Sequence, residues 1–82
     1  MTVYAVNWCP DCWRAKKFLD AHGIEHTWVD IERNPEARGY VERVNHGMRS
    51  VPTVVFADGS LLVEPTSDEL AAKLGTESEW RG

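Results

Sequence analysis

The chain has 82 residues, of which 43% are hydrophobic and 27% charged, and its formal net charge is −4 at pH 7. This composition argues against disorder, and the length suits one small domain. Because 13 acidic residues outnumber nine Lys and Arg, nucleic acid and anionic membranes are poor partners. We expect one domain over residues 1–76, a C-terminal tail at 77–82, and a monomer.

The first predicted strand is the run "TVYAV" at 2–6, which has little polarity and suits a strand covered on both faces. The first helix then begins with Cys9 as its N-cap and Pro10 at its first position, where the fixed φ of proline fits. We expect this helix to end at Gly23, a typical residue after the last helical turn. Both cysteines of the chain, Cys9 and Cys12, therefore lie at the start of this helix.

The second unit has a β-rich strand at 25–31 and a helix that is capped by Asn34 and stopped by Gly47. A strand at 50–56 follows, and the turn "ADGS" joins it to a short partner strand, "LLVE".

The last helix opens with Thr66 and Glu69 in the pattern of a capping box and ends at Gly75. The predicted order is β-α-β-α-β-β-α. Its first half is a right-handed β-α-β unit with parallel strands. We predict an α/β fold in which three helices flank a four-stranded mixed sheet.

No basic segment followed by an apolar run marks a secretory signal, and no apolar stretch approaches the roughly 20 residues of a membrane span. We therefore expect a cytoplasmic protein. In that compartment a closely spaced cysteine pair indicates redox or metal chemistry more than a stabilising disulfide.

Thiol chemistry is the first interpretation of the cysteine pair. A helix N-terminus favours a Cys9 thiolate, but its dipole contributes only about 0.3–1 kcal/mol, so we expect backbone N–H groups to donate to the Cys9 sulfur as well. Cys12 lies one turn along on the same face and should be less exposed than Cys9, so we predict that Cys9 attacks and Cys12 resolves. The charge of Asp11 opposes a thiolate, and Arg14 and Lys16 could offset it.

Metal binding is the second interpretation, because Cys9, Cys12, His22 and His26 have the spacing C-x2-C-x9-H-x3-H. A zinc site needs four converging ligands. His22 would lie about 15 Å along the helix from Cys12, and His26 follows the helix stop. We predict no metal site. A coincidental buried pair is the third interpretation.

Three motifs together resemble a known family: "CPDC" at a helix start, "SVPT" at 50–53, and "DGS" followed by "PTSDEL" before the last helix. In this order they resemble the glutaredoxins of the thioredoxin fold. The segments "NWCPDC", "VDIERN" and "VNHGMRSVPTVVFADGS" are most similar to the mycoredoxins, and the match covers about residues 3–74. The resemblance implies a thiol–disulfide oxidoreductase that reduces mixed disulfides between proteins and mycothiol. Mycothiol would be a co-substrate, and no cofactor would be bound.

The resemblance also implies roles for individual residues. A cis Pro52 would place the backbone of Val51 beside Cys9, where it could pair with an incoming chain. The start of the last helix would hold the polar end of the thiol, and Arg49 would contact a ligand carboxylate or stay solvated. The thiol- or substrate-binding residues implied are Trp8, Pro10, Asp11, Arg49, Val51, Pro52, Thr66, Ser67 and Asp68.

Departures from the family pattern keep alternatives open. Val6 stands where many glutathione-using glutaredoxins have Lys, Asp11 replaces their usual Tyr, and their Gly-Gly and Cys-Asp-Asp elements are absent. A glutathione-dependent glutaredoxin is nevertheless one alternative. An electron donor to ribonucleotide reductase, itself reduced by thioredoxin reductase, is another, although "VEPTSDE" replaces the Ser-Gly-Phe-Arg-Pro stretch of that subfamily. The remaining alternative functions are an iron–sulfur carrier and a non-catalytic adaptor.

Overall fold

A computed structural model describes residues 1–75. Its elements are β1 (Thr2–Ala5), α1 (Pro10–Ala21), β2 (Thr27–Asp30), α2 (Pro35–Val44), β3 (Thr53–Val55), β4 (Leu61–Val63) and α3 (Ser67–Leu74). The predicted element order is confirmed. Residue 76, the last of the predicted domain, and the predicted tail at 77–82 lie outside the described residues.

The four strands form one mixed sheet in the order β2-β1-β3-β4. β1 runs parallel to β2 and antiparallel to β3, and β3 runs antiparallel to β4. Val3 lies at the centre of this sheet, because its register pairs it with Trp28 on one side and Val54 on the other. The α/β arrangement predicted from the sequence, with parallel strands in the first half and a hairpin in the second, is therefore confirmed.

Helices cover both faces of the sheet. On one face the ring of Tyr4 lies 5.1 Å from that of Tyr40 of α2. Because side chains alternate along a strand, Val3 and Ala5 point to the opposite face, where α1 and α3 contact each other. The core residues with no exposed surface are Val3, Ala5, Cys12, Leu19, Val41, Val54 and Leu70. Cys12 therefore belongs to the hydrophobic core.

Local signals set the helix ends. Pro10 and Pro35 occupy the first turns of α1 and α2, and Thr66 forms the predicted capping box with Glu69. Gly23, directly after the cap of α1, adopts a φ of 65°, a conformation that glycine reaches without steric cost. No helix in this part of the chain is long and apolar enough to cross a membrane.

The strands are shorter than the sequence predicts. Val6 has left β1 but stays buried, with 4% of its surface exposed. Glu64 ends β4 by adopting a φ of 49°, which a strand residue cannot have. An apolar pattern predicts burial, and at the end of β1 burial extends one residue beyond the hydrogen-bonded strand.

Candidate active site

The two cysteines occupy different environments at the start of α1. Cys9 is the N-cap, with φ −92° and ψ 120°, and it is partly exposed, whereas Cys12 has no exposed surface. The carbonyl of Cys9 accepts the first helical hydrogen bond, from the N–H of Trp13 at 3.1 Å. The sequence predicted this asymmetry, because Pro10 fixes where the helix begins and Cys12 then falls on its buried face.

We expected helix N–H groups to donate to the Cys9 sulfur. This expectation is wrong, because the Cys9 side chain makes no capping hydrogen bond. Its sulfur instead interacts with the thiol of Cys12. Burial is the largest cause that raises the pKa of Cys12 to about 12, and the hydrogen bond to Cys9 adds to it against a lowering contribution from the backbone of Val6. Cys12 is therefore a protonated thiol at neutral pH.

Asp11 lies between the cysteines on the exposed side of the helix. It forms an ion pair with Arg14 at 3.0 Å, as the sequence led us to expect. Lys16 does not contribute to this offset, because its ammonium pairs with Asp20 at 2.9 Å, one turn further along α1. The expectation for Lys16 is therefore wrong, since the i, i+4 spacing brings its long side chain to Asp20.

A partly enclosed cleft of about 350 Å³ is lined by Trp8, the residue that precedes Cys9 in the chain. Its lining residues are Val6, Trp8, Ile31, Glu32, Arg38, Arg49 and Val51, and we call it the Trp8 cleft. Trp8 is 71% exposed, and its indole N–H donates to Oε1 of Glu32 at 3.0 Å. The cleft thus combines the aromatic ring of Trp8, directly before Cys9 in the chain, with the carboxylate of Glu32.

The Trp8 cleft contains two guanidinium groups with different surroundings. Arg49 is held by Glu42, with 2.6 Å between Nε and Oε2. The guanidinium of Arg38 has no such charged partner anywhere in residues 1–75. Sequence reasoning missed Arg38 and Glu32, because only the docking of α2 and the end of β2 against β1 brings them to the cleft. Arg38 is therefore the group in the cleft that is most available to a ligand.

The structure brings together only some of the predicted binding residues. Trp8, Arg49 and Val51 share the cleft, and Pro10 and Asp11 are exposed beside Cys9. Pro52 is buried, and its peptide bond with Val51 is cis, as expected. The start of α3 does not line the cleft, and the binding roles of Thr66, Ser67 and Asp68 stay predictions.

The histidines of the zinc-like spacing lie away from the cysteines. The ring of His22 packs edge-on against Phe18, with 4.5 Å between centroids, and Nδ1 of His26 is 3.0 Å from the carbonyl oxygen of Ile24. Over residues 1–75, no group of three or more His, Cys, Asp or Glu side chains is arranged to hold a metal ion. The structure therefore gives no support to the metal interpretation of this spacing.

A partly exposed cysteine at a helix start, with a buried thiol one turn later on the same helix, and this mixed sheet define a thiol–disulfide oxidoreductase of the thioredoxin fold. The crystal structure of a variant of a thioredoxin-like protein superposes with a TM-score of 0.82 at 29% identity, over 93% of this chain and 95% of that one. A model of the glutaredoxin family matches residues 1–62. The chain belongs to the glutaredoxin family.

Individual relatives agree with this assignment. A provisionally named glutaredoxin of Mycobacterium tuberculosis is 50% identical over 74 residues, which cover 90% of this chain and 88% of the relative. Mycoredoxin 1 of Corynebacterium glutamicum is 40% identical over 74 residues, or 90% and 91% of the two chains. The glutaredoxin-like protein NrdH of Lactococcus lactis subsp. cremoris is 36% identical over 59 residues, or 71% and 78%.

Proposed function

We propose that this oxidoreductase reduces mixed disulfides between proteins and mycothiol, with Cys9 as the nucleophile. The observation that carries the mechanism is the unequal burial of the cysteines: Cys9 is accessible, and Cys12 is fully buried with its pKa raised to about 12. Mycothiol is favoured because the chain is 40% identical to Mycoredoxin 1, and because the resemblance to mycoredoxins implies that thiol.

The reaction proceeds by two thiol–disulfide exchanges. The Cys9 thiolate attacks the mycothiol sulfur of the mixed disulfide, a Cys9–mycothiol disulfide forms, and the substrate protein leaves as a thiolate that takes a proton from solvent. A second mycothiol, reacting as its thiolate, then attacks the mycothiol sulfur on Cys9. This step releases the symmetric mycothiol disulfide and restores the Cys9 thiolate.

Cys12 is a slower alternative to the second mycothiol. For Cys12 to attack Cys9, its thiol must first lose a proton, and burial, the largest cause that raises its pKa, persists when Cys9 carries a disulfide. Attack by Cys12 would expel mycothiol and form a Cys9–Cys12 disulfide. We therefore propose that turnover uses Cys9 and free mycothiol, and that Cys12 resolves the adduct only when free thiol is scarce.

The Trp8 cleft is the proposed thiol site, and Trp8, Arg49 and Val51 are its proposed contacts. One chain supplies all of its lining, so a monomer suffices. A reducing compartment such as the cytoplasm suits the reaction, because the cysteine pair must be kept reduced between cycles.

Glutathione is the second candidate thiol. The guanidinium of Arg38 lies in the cleft without a charged partner in the described part of the chain, and a guanidinium binds carboxylates through paired hydrogen bonds. Glutathione carries free carboxylates and would suit this group. Identity to Mycoredoxin 1 favours the first candidate, and Arg38, which has no charged partner within residues 1–75, favours the second.

The mechanism is tested by turnover of a mycothiol–peptide mixed disulfide, with mycothiol as the reductant. We expect Cys9→Ser to abolish turnover and Cys12→Ser to keep it. Turnover that Cys9→Ser retains, or that Cys12→Ser abolishes while the variant remains folded, would contradict the proposed roles.

A further inference from the structure

Thr53 follows Pro52 and is the one polar residue that residues 1–75 bury completely. Its hydroxyl donates to the carbonyl oxygen of Ser50 at 2.7 Å and lies 3.2 Å from Nδ2 of Asn45. A hydroxyl has one proton, and Ser50 accepts it, so the amide of Asn45 must be the donor in the second contact. The direction of both hydrogen bonds is therefore fixed by chemistry.

Asn45 links this hydroxyl to the end of α2. It is the C-cap of that helix, and its backbone N–H donates to the carbonyl of Val41 at 3.1 Å. The side-chain Nδ2 donates to the same carbonyl at 2.9 Å and to the hydroxyl of Thr53. One amide group thus uses both of its protons to connect the last turn of α2 with the segment 50–53.

This segment forms one wall of the site. Val51 lines the Trp8 cleft. The next residue, Pro52, is held by β4, because its carbonyl oxygen accepts a hydrogen bond of 2.7 Å from the N–H of Glu64, directly after that strand. The carbonyl of Ser50, which the Thr53 hydroxyl holds, belongs to the peptide group that leads into Val51. The hydrogen bonds of Asn45 and Thr53 therefore determine the orientation of the peptide group between Ser50 and Val51.

We infer that Asn45 is a positioning residue, which acts through Thr53 to hold the backbone at Ser50–Val51 in the orientation that receives the disulfide substrate. The inference rests on the proposed function, but it concerns how the substrate is oriented and not which thiol it carries. Asn45 itself touches no reacting atom. Its loss should weaken substrate binding and leave the chemistry of Cys9 intact.

The test measures KM and kcat for two peptide mixed disulfides, one with mycothiol and one with glutathione, and the rate at which iodoacetamide alkylates Cys9. The variants are Asn45→Ala, Thr53→Val and Thr53→Ser. Ile24→Ala is the matched control, because it removes a partly buried core contact in the loop after α1, outside the Trp8 cleft. Melting temperatures of all variants show how far each is destabilised.

We expect Asn45→Ala and Thr53→Val to raise KM about three- to tenfold, which lies within the range that the loss of one hydrogen bond covers. Their kcat and the alkylation rate of Cys9 should stay unchanged. Thr53→Ser keeps the hydroxyl and should therefore have the KM of the wild type. Because the two residues share one hydrogen bond, the double variant should lose less than the product of the single effects.

An unchanged KM would overturn the inference. So would a change in kcat or in the alkylation rate that matches the change in Ile24→Ala, because loss of stability alone would then account for the effect. The choice of thiol is a separate result. If the wild type prefers the glutathione disulfide, the mycothiol proposal is contradicted, but the KM values for that disulfide still test the role of Asn45. A wild type that reduces neither disulfide contradicts both proposals.

Discussion

The indole Nε1 of Trp8 donates a hydrogen bond to Oε1 of Glu32 at 3.0 Å, across 24 positions of the chain. The bond connects the turn before Cys9 to the turn that follows β2, and it holds a largely exposed ring at the edge of the cleft. Both residues line the cleft, so the orientation of the ring sets the shape of the opening.

We predict that Glu32→Ala raises KM for the mixed disulfide by about two- to tenfold, because a freed Trp8 must be ordered when substrate binds and one hydrogen bond is lost. Glu32→Gln keeps an acceptor oxygen and should lie between the wild type and Glu32→Ala. Steady-state kinetics measure the effect, with Glu25→Ala, at an exposed loop residue outside the Trp8 cleft, as the control. Equal KM values in all four proteins would show that Glu32 does not orient Trp8.

The buried thiol of Cys12 should resist alkylation. Burial raises its pKa to about 12, so at pH 8 almost none of it is thiolate, the reactive form. We predict that iodoacetamide at pH 8 modifies Cys9 and spares Cys12, as mapped by peptide mass spectrometry. Rapid double labelling of the native protein would contradict the burial of Cys12, and labelling after unfolding in guanidinium provides the positive control.

The raised pKa of Cys12 also determines how the stability of the protein changes with pH. A thiol whose pKa is raised by folding stabilises the native state while it is protonated, below its ordinary pKa of 9.0, and this contribution is lost as pH rises toward 12. We expect the unfolding midpoint of the wild type in urea to fall between pH 9 and 11 more than that of Cys12→Ala. A fall of equal size in both proteins would show that Cys12 is not its cause.

Thr66 has a structural role that can be separated from its predicted role in thiol binding. Its side chain accepts from the N–H of Glu69 at 3.1 Å, and the Glu69 carboxylate accepts from the N–H of Thr66 at 2.8 Å. Removal of such a cap costs about 0.5–2 kcal/mol. We predict that Thr66→Ala lowers the free energy of unfolding by that amount and Thr66→Ser by much less.

Binding gives the second readout for Thr66. If the start of α3 also holds the thiol, Thr66→Ala should raise KM in addition to lowering stability. Ala72→Gly is a suitable control, because it weakens the same helix at an exposed position away from its first turn. An unchanged KM in Thr66→Ala would restrict Thr66 to capping.

Asp58, in the β3–β4 turn, should make stability sensitive to acid. Its pKa is lowered to about 2, first by the hydroxyl and the N–H of Ser60 and then by Lys73, whose ammonium lies 3.2 Å away. A lowered carboxyl pKa gives a contribution that is present above the ordinary value of 3.8 and is lost as pH falls through about 2. We predict that Asp58→Asn loses less stability than the wild type between pH 4 and pH 2.

Urea unfolding at pH 7, 4 and 2 measures this difference, with Glu25→Gln as a control on an exposed carboxyl. Parallel loss in the wild type and Asp58→Asn would show that the contacts of Asp58 with Ser60 and Lys73 do not contribute to stability.

Features governed by near neighbours in the chain were predictable. Pro10 and Gly23 bound α1, and the spacing of Thr66 and Glu69 identifies the cap of α3, because each signal acts within one or two turns. The placement of Cys12 in the core follows from the same register. The parallel pairing of β1 with β2 and the antiparallel pairing of β3 with β4 followed from the β-α-β unit and the hairpin turn. That β3 lies beside β1 was not predicted.

Features that depend on the docking of distant segments were not predictable. Arg38 and Glu32 reach the cleft only through the packing of α2 and the end of β2. The link from Asn45 to Thr53 joins residues on opposite sides of a loop whose path the sequence does not specify. The choice of Lys16 between Asp11 and Asp20 depends on side-chain reach, which charge patterns leave open.

The most direct test of the proposed chemistry is an intact mass spectrum of Cys12→Ser after exposure to equal amounts of mycothiol disulfide and glutathione disulfide. We predict one adduct, of mycothiol on Cys9, because Cys9 is the accessible cysteine and Cys12 is not needed to accept the thiol. A glutathione adduct as the main product would contradict mycothiol as the preferred thiol, and no adduct with either thiol would contradict Cys9 as an acceptor that works without Cys12.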